Sequence, residues 1–208
     1  MGVMTVPKKR GPRGPYAKSA ERRNQILAAA AWVFTARGYR SGSLQEIADR
    51  AEMGQSSLLH HFPTKEALLR AVLHDRDERG DDLVGDSDIV TMVVDLARAN
   101  EDNPDPVALY AVLVGEATTH DHPAREYFRD RFVRVRDRYA RALRRHAAAG
   151  ELRPGVDPEL AATALVALWD GIQQEWLIEV PGASVPETMR AFLALLFTDE
   201  ALPDSLRA

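Results

Sequence analysis

The side chains best suited to chemistry are concentrated in one stretch, AEMGQSSLLHHFPTKEALL, which runs from Ala51 to Leu69. It contains the neighbouring histidines His60 and His61, a pair of serines and Lys65. Imidazoles are common metal ligands, whereas hydroxyl and ammonium groups contact phosphates. Adjacent residues of an α-helix project about 100° apart, so the two imidazoles do not readily share one metal ion. The pattern therefore favours a binding surface over a metal centre.

A second group, His120-Asp121-His122, also has side chains that coordinate metals. It directly precedes Pro123 at a predicted helix junction, and the sequence offers no evident fourth ligand, so a metal site here is the minor alternative. The chain has no cysteine, which excludes thiolate metal sites, disulfides and thiol catalysis. It also contains no nucleophile–base motif and no glycine-rich phosphate loop. We therefore expect no metal, no cofactor and no enzymatic activity.

The charge of the chain is unevenly distributed. Residues 1–70 hold 12 Lys and Arg against 5 Asp and Glu, whereas residues 71–208 hold 15 against 26. A basic N-terminal third joined to an acidic remainder suggests two tasks, the first of which involves a polyanion. A hydrophobic content of 45% over 208 residues is typical of a globular protein with a substantial core.

The sequence predicts neither a membrane span nor a secretory signal. The longest apolar runs, such as Ile26–Phe34 and Leu160–Trp169, are shorter than the roughly 18 residues that a spanning helix needs. The N-terminal region carries PKKRGPRGP and no apolar segment. We therefore expect a soluble, cytoplasmic protein without a membrane partner.

Residues 1–20 are predicted to form a flexible basic arm, because their basic side chains are interspersed with glycine and proline. Two interpretations remain open. The arm serves as a solubilising tail, or Arg10 and Arg13 lie along DNA phosphates or in a minor groove, where the negative potential attracts them.

From Glu21 onward, apolar residues recur at intervals of three and four, the period of amphipathic helices. The first helix is predicted to end at Gly38. The second begins after Ser43, which forms a capping box with Glu46, and a third covers 55–62. Further helices are predicted after Thr64 and near 87–101, 105–119, 123–149, 158–179 and 185–198. No stretch shows the two-residue alternation of a strand, so the fold class is all-α.

The second and third helices, three residues apart, have the geometry of a helix-turn-helix, whose second helix enters the major groove of DNA. The surrounding segment, residues 21–73, resembles the DNA-binding domain of the TetR family of bacterial transcriptional regulators. The residues that carry the resemblance are Ile26-Leu27, Phe34, Gly38, Ile47-Ala48, Ala51, Leu58, His61-Phe62, Lys65-Glu66 and Leu68-Leu69. The resemblance implies a three-helix DNA-binding domain at 21–66 and a helical ligand-binding and dimerisation domain at 67–208.

The resemblance also implies roles for individual residues at the DNA. Ser43 would contact a phosphate in addition to capping its helix. Gln55, Ser56 and Ser57, at the start of the recognition helix, would meet base edges or phosphates. The remaining contacts, to the DNA backbone, would come from His60, His61 and Lys65, the last at the N-terminus of the fourth helix.

Three positions depart from the family pattern. Glu52 stands where the family usually has glycine, Gly54 where serine or threonine usually caps the third helix, and Leu59 where tyrosine usually reaches a phosphate. The predicted function is a homodimeric repressor that binds an inverted-repeat operator in double-stranded DNA and is released by a small molecule. Glu52 and Leu59 support the alternative, a helical ligand-binding and dimerisation module that binds DNA only non-specifically.

Two further sets of residues follow from the resemblance, one for the effector pocket and one for the dimer interface. The expected pocket residues are Met92, Leu96, Tyr110, Leu113, Glu116, Phe132, Trp169 and Gln173. The expected interface residues are Ala164, Leu168, Gly171, Ile172, Met189, Phe192, Leu193 and Leu196. From the acidic charge of this part of the chain, we expect a cationic or hydroxylated ligand. The many arginines of the helix near 123–149 are interpreted as a solvated, salt-bridged face, with a second nucleic-acid site as the alternative.

Overall fold

A computed structural model describes the backbone of residues 15–82 and 88–202 and the side chains of residues 19–78 and 88–202. Within these ranges the chain forms nine α-helices and no strand, which confirms the predicted all-α class. The helices are α1 Pro15–Ser41, α2 Leu44–Arg50, α3 Gln55–His61, α4 Lys65–Asp82, α5 Ile89–Asp102, α6 Asp105–Ala117, α7 Arg125–Ala148, α8 Pro158–Leu177 and α9 Val185–Leu196. Arg10 and Arg13 lie outside the described residues.

The first helix differs most from its prediction, since it begins at Pro15 and not at Glu21. Proline is favoured in the first turn of a helix because it has no N–H to leave unpaired. At the other end, Gly38 leaves the helical conformation with φ 74° and ψ 168°. This conformation suits glycine, which has no Cβ, and it breaks α1 where the sequence predicted a stop.

The starts of α2 and α4 are fixed by side-chain caps. The Ser43 Oγ accepts a hydrogen bond of 3.0 Å from the Glu46 backbone N–H, and the Thr64 Oγ1 accepts one of 3.0 Å from that of Ala67. Each cap satisfies one of the N–H groups that a helix start leaves without a partner. The caps therefore fix where α2 and α4 begin.

Two apolar cores hold the helices together. The first joins α1–α4 to α6 and the start of α7, where Tyr110 and Phe128 pack edge to face with ring centroids 5.5 Å apart. The second lies among α5, α7, α8 and α9. The first core therefore crosses the predicted domain boundary after residue 66, because α4 and α6 belong to it. Helix α1 packs directly against α6 of the C-terminal part.

Candidate DNA-binding surface and ligand cleft

The recognition helix α3 is anchored by one face and open on the other. Leu58 and Phe62, at its inward-facing positions, are buried. Gln55, Ser56 and Ser57 are exposed at its first turn. Their hydroxyl and amide groups are therefore free to meet a partner, and α3 is held firmly enough to orient them.

The turn before α3 contains two of the three departures from the family pattern. Glu52 has φ 53°, in the left-handed region that disfavours residues with a Cβ. Gly54 is the N-cap of α3 and provides no side-chain hydrogen bond. The third departure, Leu59, is half-buried.

The other residues predicted to contact the DNA backbone are accessible to different degrees. Ser43 and His60 are exposed, and His61 is half-buried. The rings of His60 and His61 meet edge to face with centroids 6.2 Å apart. These positions are compatible with backbone contacts, which remain a prediction.

Lys65 has contacts within the protein that the sequence did not indicate. Its Nζ donates a hydrogen bond of 3.2 Å to the Arg40 carbonyl oxygen and lies 4.6 Å from the centroid of the Tyr39 ring. Burial lowers the pKa of Lys65, an effect that the Glu116 carboxylate opposes. Lys65 therefore links the start of α4 to the end of α1, and a phosphate contact by Lys65 remains a prediction.

The second histidine group has a structural role at the end of α6. His122 is buried, and its Nδ1 accepts a hydrogen bond of 3.2 Å from the Ala124 backbone N–H. Its Nε2 faces the Glu116 carboxylate at 3.6 Å, whereas His120 is exposed. Among the residues with described side chains, no three His, Asp or Glu residues are grouped closely enough to hold a metal ion.

A cleft of about 1450 Å³ lies between α1 and α4 on one side and α5–α8 on the other. Six of the eight residues predicted for the pocket line it, namely Met92, Leu96, Tyr110, Phe132, Trp169 and Gln173. The other two do not. Leu113 is fully buried in the first core, and the Glu116 carboxylate accepts a hydrogen bond of 2.6 Å from the Tyr39 backbone N–H. On α6, Tyr110 therefore faces the cleft, whereas Leu113 faces the first core and Glu116 lies against α1.

The cleft also contains a charged cluster that the sequence analysis missed. Asp77 accepts a hydrogen bond of 2.5 Å from the Tyr127 hydroxyl, and it lies 3.4 Å from Arg76 Nη1 and 3.3 Å from Arg131 Nε. Both guanidinium groups lie near the Tyr110 ring, at 4.4 and 5.1 Å from its centroid. Burial raises the pKa of the Tyr110 hydroxyl to about 12. Two partly buried cations thus share one carboxylate.

Asp170 and Gln173 are the polar residues that α8 contributes to this cleft. Burial raises the pKa of Asp170 to about 6, although Arg131 and Arg76 lower it. Gln173 is 3% exposed, and its Nε2 has no hydrogen-bond partner within the described part of the chain. The sequence does contain a signal for Asp170, since it is a charged residue inside the largely apolar run ALVALWDGIQQEW.

The predicted interface residues divide into two groups. On α9, Met189, Leu193 and Leu196 are buried in the second core, so they face their own subunit and the prediction for them is wrong. On α8, Gly171 is exposed, and a Cβ built there would meet nothing within 4 Å. The other predicted positions, half-buried in this chain, are Ala164, Leu168, Ile172 and Phe192.

Large apolar side chains nevertheless remain exposed on both of these last helices. Leu195 of α9 is 69% exposed, and at the two ends of α8 Leu160 is 69% and Ile178 75% exposed. On α9, the core residues and Leu195 occupy different faces of the helix, which explains the error in the prediction. Among the helices described, none is long and apolar enough to cross a membrane.

A short helix pair that presents an exposed polar first turn, mounted on a helical body with a cleft, defines a helix-turn-helix DNA-binding protein. Residues 26–72 match the family model described as "Bacterial regulatory proteins, tetR family". Residues 87–198, more than half of the chain, match the model described as "BetI-type transcriptional repressor, C-terminal". The chain belongs to the TetR family of bacterial transcriptional regulators.

Curated relatives match either a short segment of this chain at higher identity or most of the chain at lower identity. The HTH-type transcriptional activator FasR of Mycolicibacterium smegmatis is 46% identical over 61 residues, which cover 29% of this chain and 28% of that protein. The HTH-type transcriptional regulator UidR of Escherichia coli K12 is 23% identical over 85% of this chain and 93% of its own length. The stronger identity is therefore confined to about a quarter of the relative's length.

Solved structures have the same fold at low identity. SmeT, the repressor of the Stenotrophomonas maltophilia multidrug efflux pump SmeDEF, is 21% identical with a TM-score of 0.72, covering 87% of this chain and 93% of its own. A transcriptional regulator from Saccharomonospora viridis in complex with choline is 23% identical with a TM-score of 0.69, covering 86% and 99%.

Proposed function

We propose that this regulator is a cytoplasmic, homodimeric repressor whose binding to an inverted-repeat operator is released by a small molecule in the cleft. The observation that carries the proposal is the position of α4. Its first residue, Lys65, contacts the end of α1 next to the helix-turn-helix. Further along, Val72 and Arg76 line the cleft. A ligand in the cleft therefore touches the helix that begins at the DNA-binding domain.

This arrangement supports coupling between the two sites. A ligand that binds better to the conformation unable to hold DNA must weaken DNA binding by the same factor by which DNA weakens ligand binding. The solved complexes of SmeT with triclosan and of the Saccharomonospora viridis regulator with choline are consistent with a small molecule binding to this fold.

The exposed apolar faces of α8 and α9 support the homodimer. An exposed patch of this kind is a common site of protein association. The open space beside Gly171 would let a second helix approach closely. Two-fold symmetry would then place two recognition helices about 34 Å apart, in successive major grooves of an inverted repeat.

The test is retardation of a labelled DNA fragment taken from the region upstream of the protein's own coding sequence. We expect specific retardation that survives competitor DNA, weakens with salt and protects an inverted repeat from cleavage. Binding that competitor DNA removes completely would instead favour the alternative, a ligand-binding and dimerisation module with only non-specific affinity.

A further inference from the structure

We propose that the ligand of the cleft is an apolar molecule that carries a carboxylate, and that its binding is accompanied by uptake of a proton on Asp170. The proposal rests on the proposed function in one respect, that the cleft holds a small-molecule effector. It reverses the expectation of a cationic ligand, which followed from the acidic charge of the C-terminal part.

The first argument is the type of polar atom left without a partner. Gln173 Nε2 and Arg131 Nε are buried atoms without a hydrogen bond. The latter is 3.3 Å from Asp77 Oδ1, without the alignment of a hydrogen bond. A guanidinium group can only donate, and an unsatisfied buried donor is unfavourable. The oxygen atoms of a carboxylate would satisfy both groups.

The second argument is the charge of the cluster. Arg76 and Arg131 share Asp77, which is already occupied by the Tyr127 hydroxyl. Asp170, which lines the same cleft and is influenced by the charges of both arginines, balances the second positive charge. A bound cation would leave this cluster of two arginines and two aspartates with a net positive charge. A bound carboxylate together with one proton would leave the cluster neutral, which is favourable for partly buried charges.

The third argument is that Asp170 can accept this proton. The groups that influence it are Arg131 and Tyr139 of α7, Arg76 of α4 and Tyr110 of α6. Burial raises its pKa to about 6, so protonation at neutral pH is only about tenfold unfavourable. A ligand carboxylate beside the same arginines would raise this pKa further. The protonated carboxyl could then donate a hydrogen bond to the ligand.

The remaining walls fit the apolar body of such a molecule. Trp169 and Phe132 provide aromatic surfaces, and Met92 and Leu96 provide aliphatic ones. The cleft also has many polar and charged lining residues. Phe132 and Trp169 directly adjoin Arg131 and Asp170 in the sequence, so apolar and polar groups side by side would orient a ligand by one end. The polar end would lie at Arg131 and Gln173.

The test uses three probes with the same body and different head groups: 4-butylbenzoate, 4-butylbenzyl alcohol and 4-butylbenzylammonium. Each is titrated calorimetrically into the full-length protein at pH 6.5 and at pH 8. We expect the benzoate to bind at least about tenfold more tightly than the ammonium compound at pH 6.5. The affinity for the benzoate should fall about twentyfold by pH 8, because Asp170 must then be protonated at a growing cost. Buffers with different heats of ionisation should report uptake of about one proton near pH 7.

Three variants assign the effect to the residues named. Asp170→Asn, which cannot ionise, should bind the benzoate with an affinity that no longer depends on pH. Gln173→Glu should weaken benzoate binding about tenfold or more, since a donor is replaced by a negative charge. Asp137→Asn, at an exposed position of the same cleft, is the matched control and should keep the pH dependence of the wild type.

Several results would overturn the proposal. These are tighter binding of the ammonium compound, binding of the benzoate without proton uptake, an unchanged pH dependence in Asp170→Asn, or no benzoate binding at millimolar concentration. Retardation of DNA by the same preparations, without any probe, is measured separately. Loss of specific retardation would contradict the proposed repressor, whereas the calorimetric result concerns the ligand alone.

Discussion

The Glu116 carboxylate of α6 accepts a hydrogen bond of 2.6 Å from the backbone N–H of Tyr39, at the point where α1 is broken. The neighbouring Gly38 has φ 74°, and a Cβ at this position would collide with the same carboxylate. A helix of the C-terminal part therefore satisfies the backbone of the helix that leads into the DNA-binding motif. This contact, and not a pocket contact, is the role of Glu116 in the structure.

We expect Glu116→Ala to lower the free energy of unfolding by about 1–2 kcal/mol, because the Tyr39 N–H loses its acceptor in a partly buried position. Glu116→Gln keeps an acceptor oxygen, so its free energy of unfolding should fall by less. Glu126→Ala removes an exposed ion pair with Arg129 and is expected to cost at most about 0.5 kcal/mol. Urea denaturation measures all three. Equal losses in Glu116→Ala and Glu126→Ala would show that the hydrogen bond does not stabilise the junction.

The same junction predicts how stability depends on pH. Burial lowers the pKa of His122, Glu116 opposes this shift and Arg40 adds to it. The unfolded chain therefore binds a proton at a higher pH than the folded protein does, and the His122 contribution falls as the pH drops below about 6.5. Asp170 has the opposite effect on stability. Its pKa in the folded protein, about 6, lies above the unfolded value, so its contribution to stability increases as the pH falls.

A comparison of variants isolates the His122 contribution. His122→Asn retains an acceptor for the Ala124 N–H and should lose less stability than the wild type between pH 7 and pH 5. His120→Asn, at an exposed position, should follow the wild type. Thermal unfolding across this range provides the measurement, and identical slopes for the wild type and His122→Asn would contradict the assignment.

The sequence predicted the helices well because their periodicity and their caps are local features. The five helices expected from 87 to 198 begin and end within two residues of the observed bounds. It could not predict which face of a helix meets which neighbour. On α6, Tyr110 faces the cleft, whereas Glu116 lies against α1. On α9, Leu193 faces the core and Leu195 does not. The charged cluster was missed for the same reason, since Arg76 and Arg131 come together only when α4 packs near α7.

Gln55→Ala and Lys65→Ala should affect DNA binding differently. The loss of the exposed Gln55 amide is expected to relax base preference and to cost about 1–3 kcal/mol at the preferred operator. Lys65→Ala should weaken binding to all sequences alike and reduce the salt slope by about one unit. Titrations against the operator and a scrambled duplex at several salt concentrations measure both. If Lys65→Ala leaves the salt slope unchanged and only lowers the stability of the protein, Lys65 does not contact a phosphate and serves only to connect α4 to Arg40.

Replacing Glu52 by glycine, the residue that the family usually has at this turn, should stabilise the protein. Glu52→Gly relieves the left-handed backbone at φ 53° and is expected to stabilise the fold by about 1 kcal/mol. Glu52→Gln removes the charge but keeps the Cβ, so it should not stabilise. Both changes should strengthen DNA binding at low salt by removing a repulsive charge. Glu179→Gly, at φ 59° in another turn, should stabilise the protein without affecting DNA. An equal effect of Glu52→Gln and Glu52→Gly on stability would exclude backbone strain as the cause.

The exposed apolar residues of α8 and α9 lead to a prediction about assembly. A charge introduced at Ile178 or Leu195, which are 75% and 69% exposed in the single chain, would have to be buried without a partner in the proposed dimer. Burial of an unpaired charge is strongly unfavourable. We therefore expect Ile178→Asp and Leu195→Asp to sediment as monomers at micromolar concentrations at which the wild type is a dimer. Val133→Asp, at an exposed apolar position on α7, should remain dimeric.

The monomeric variants should also lose operator retardation, because two recognition helices must be held about 34 Å apart to bind both half-sites. Their helical content, measured by circular dichroism, should be unchanged. Monomeric variants that still protect both half-sites would contradict the coupling of assembly to DNA recognition.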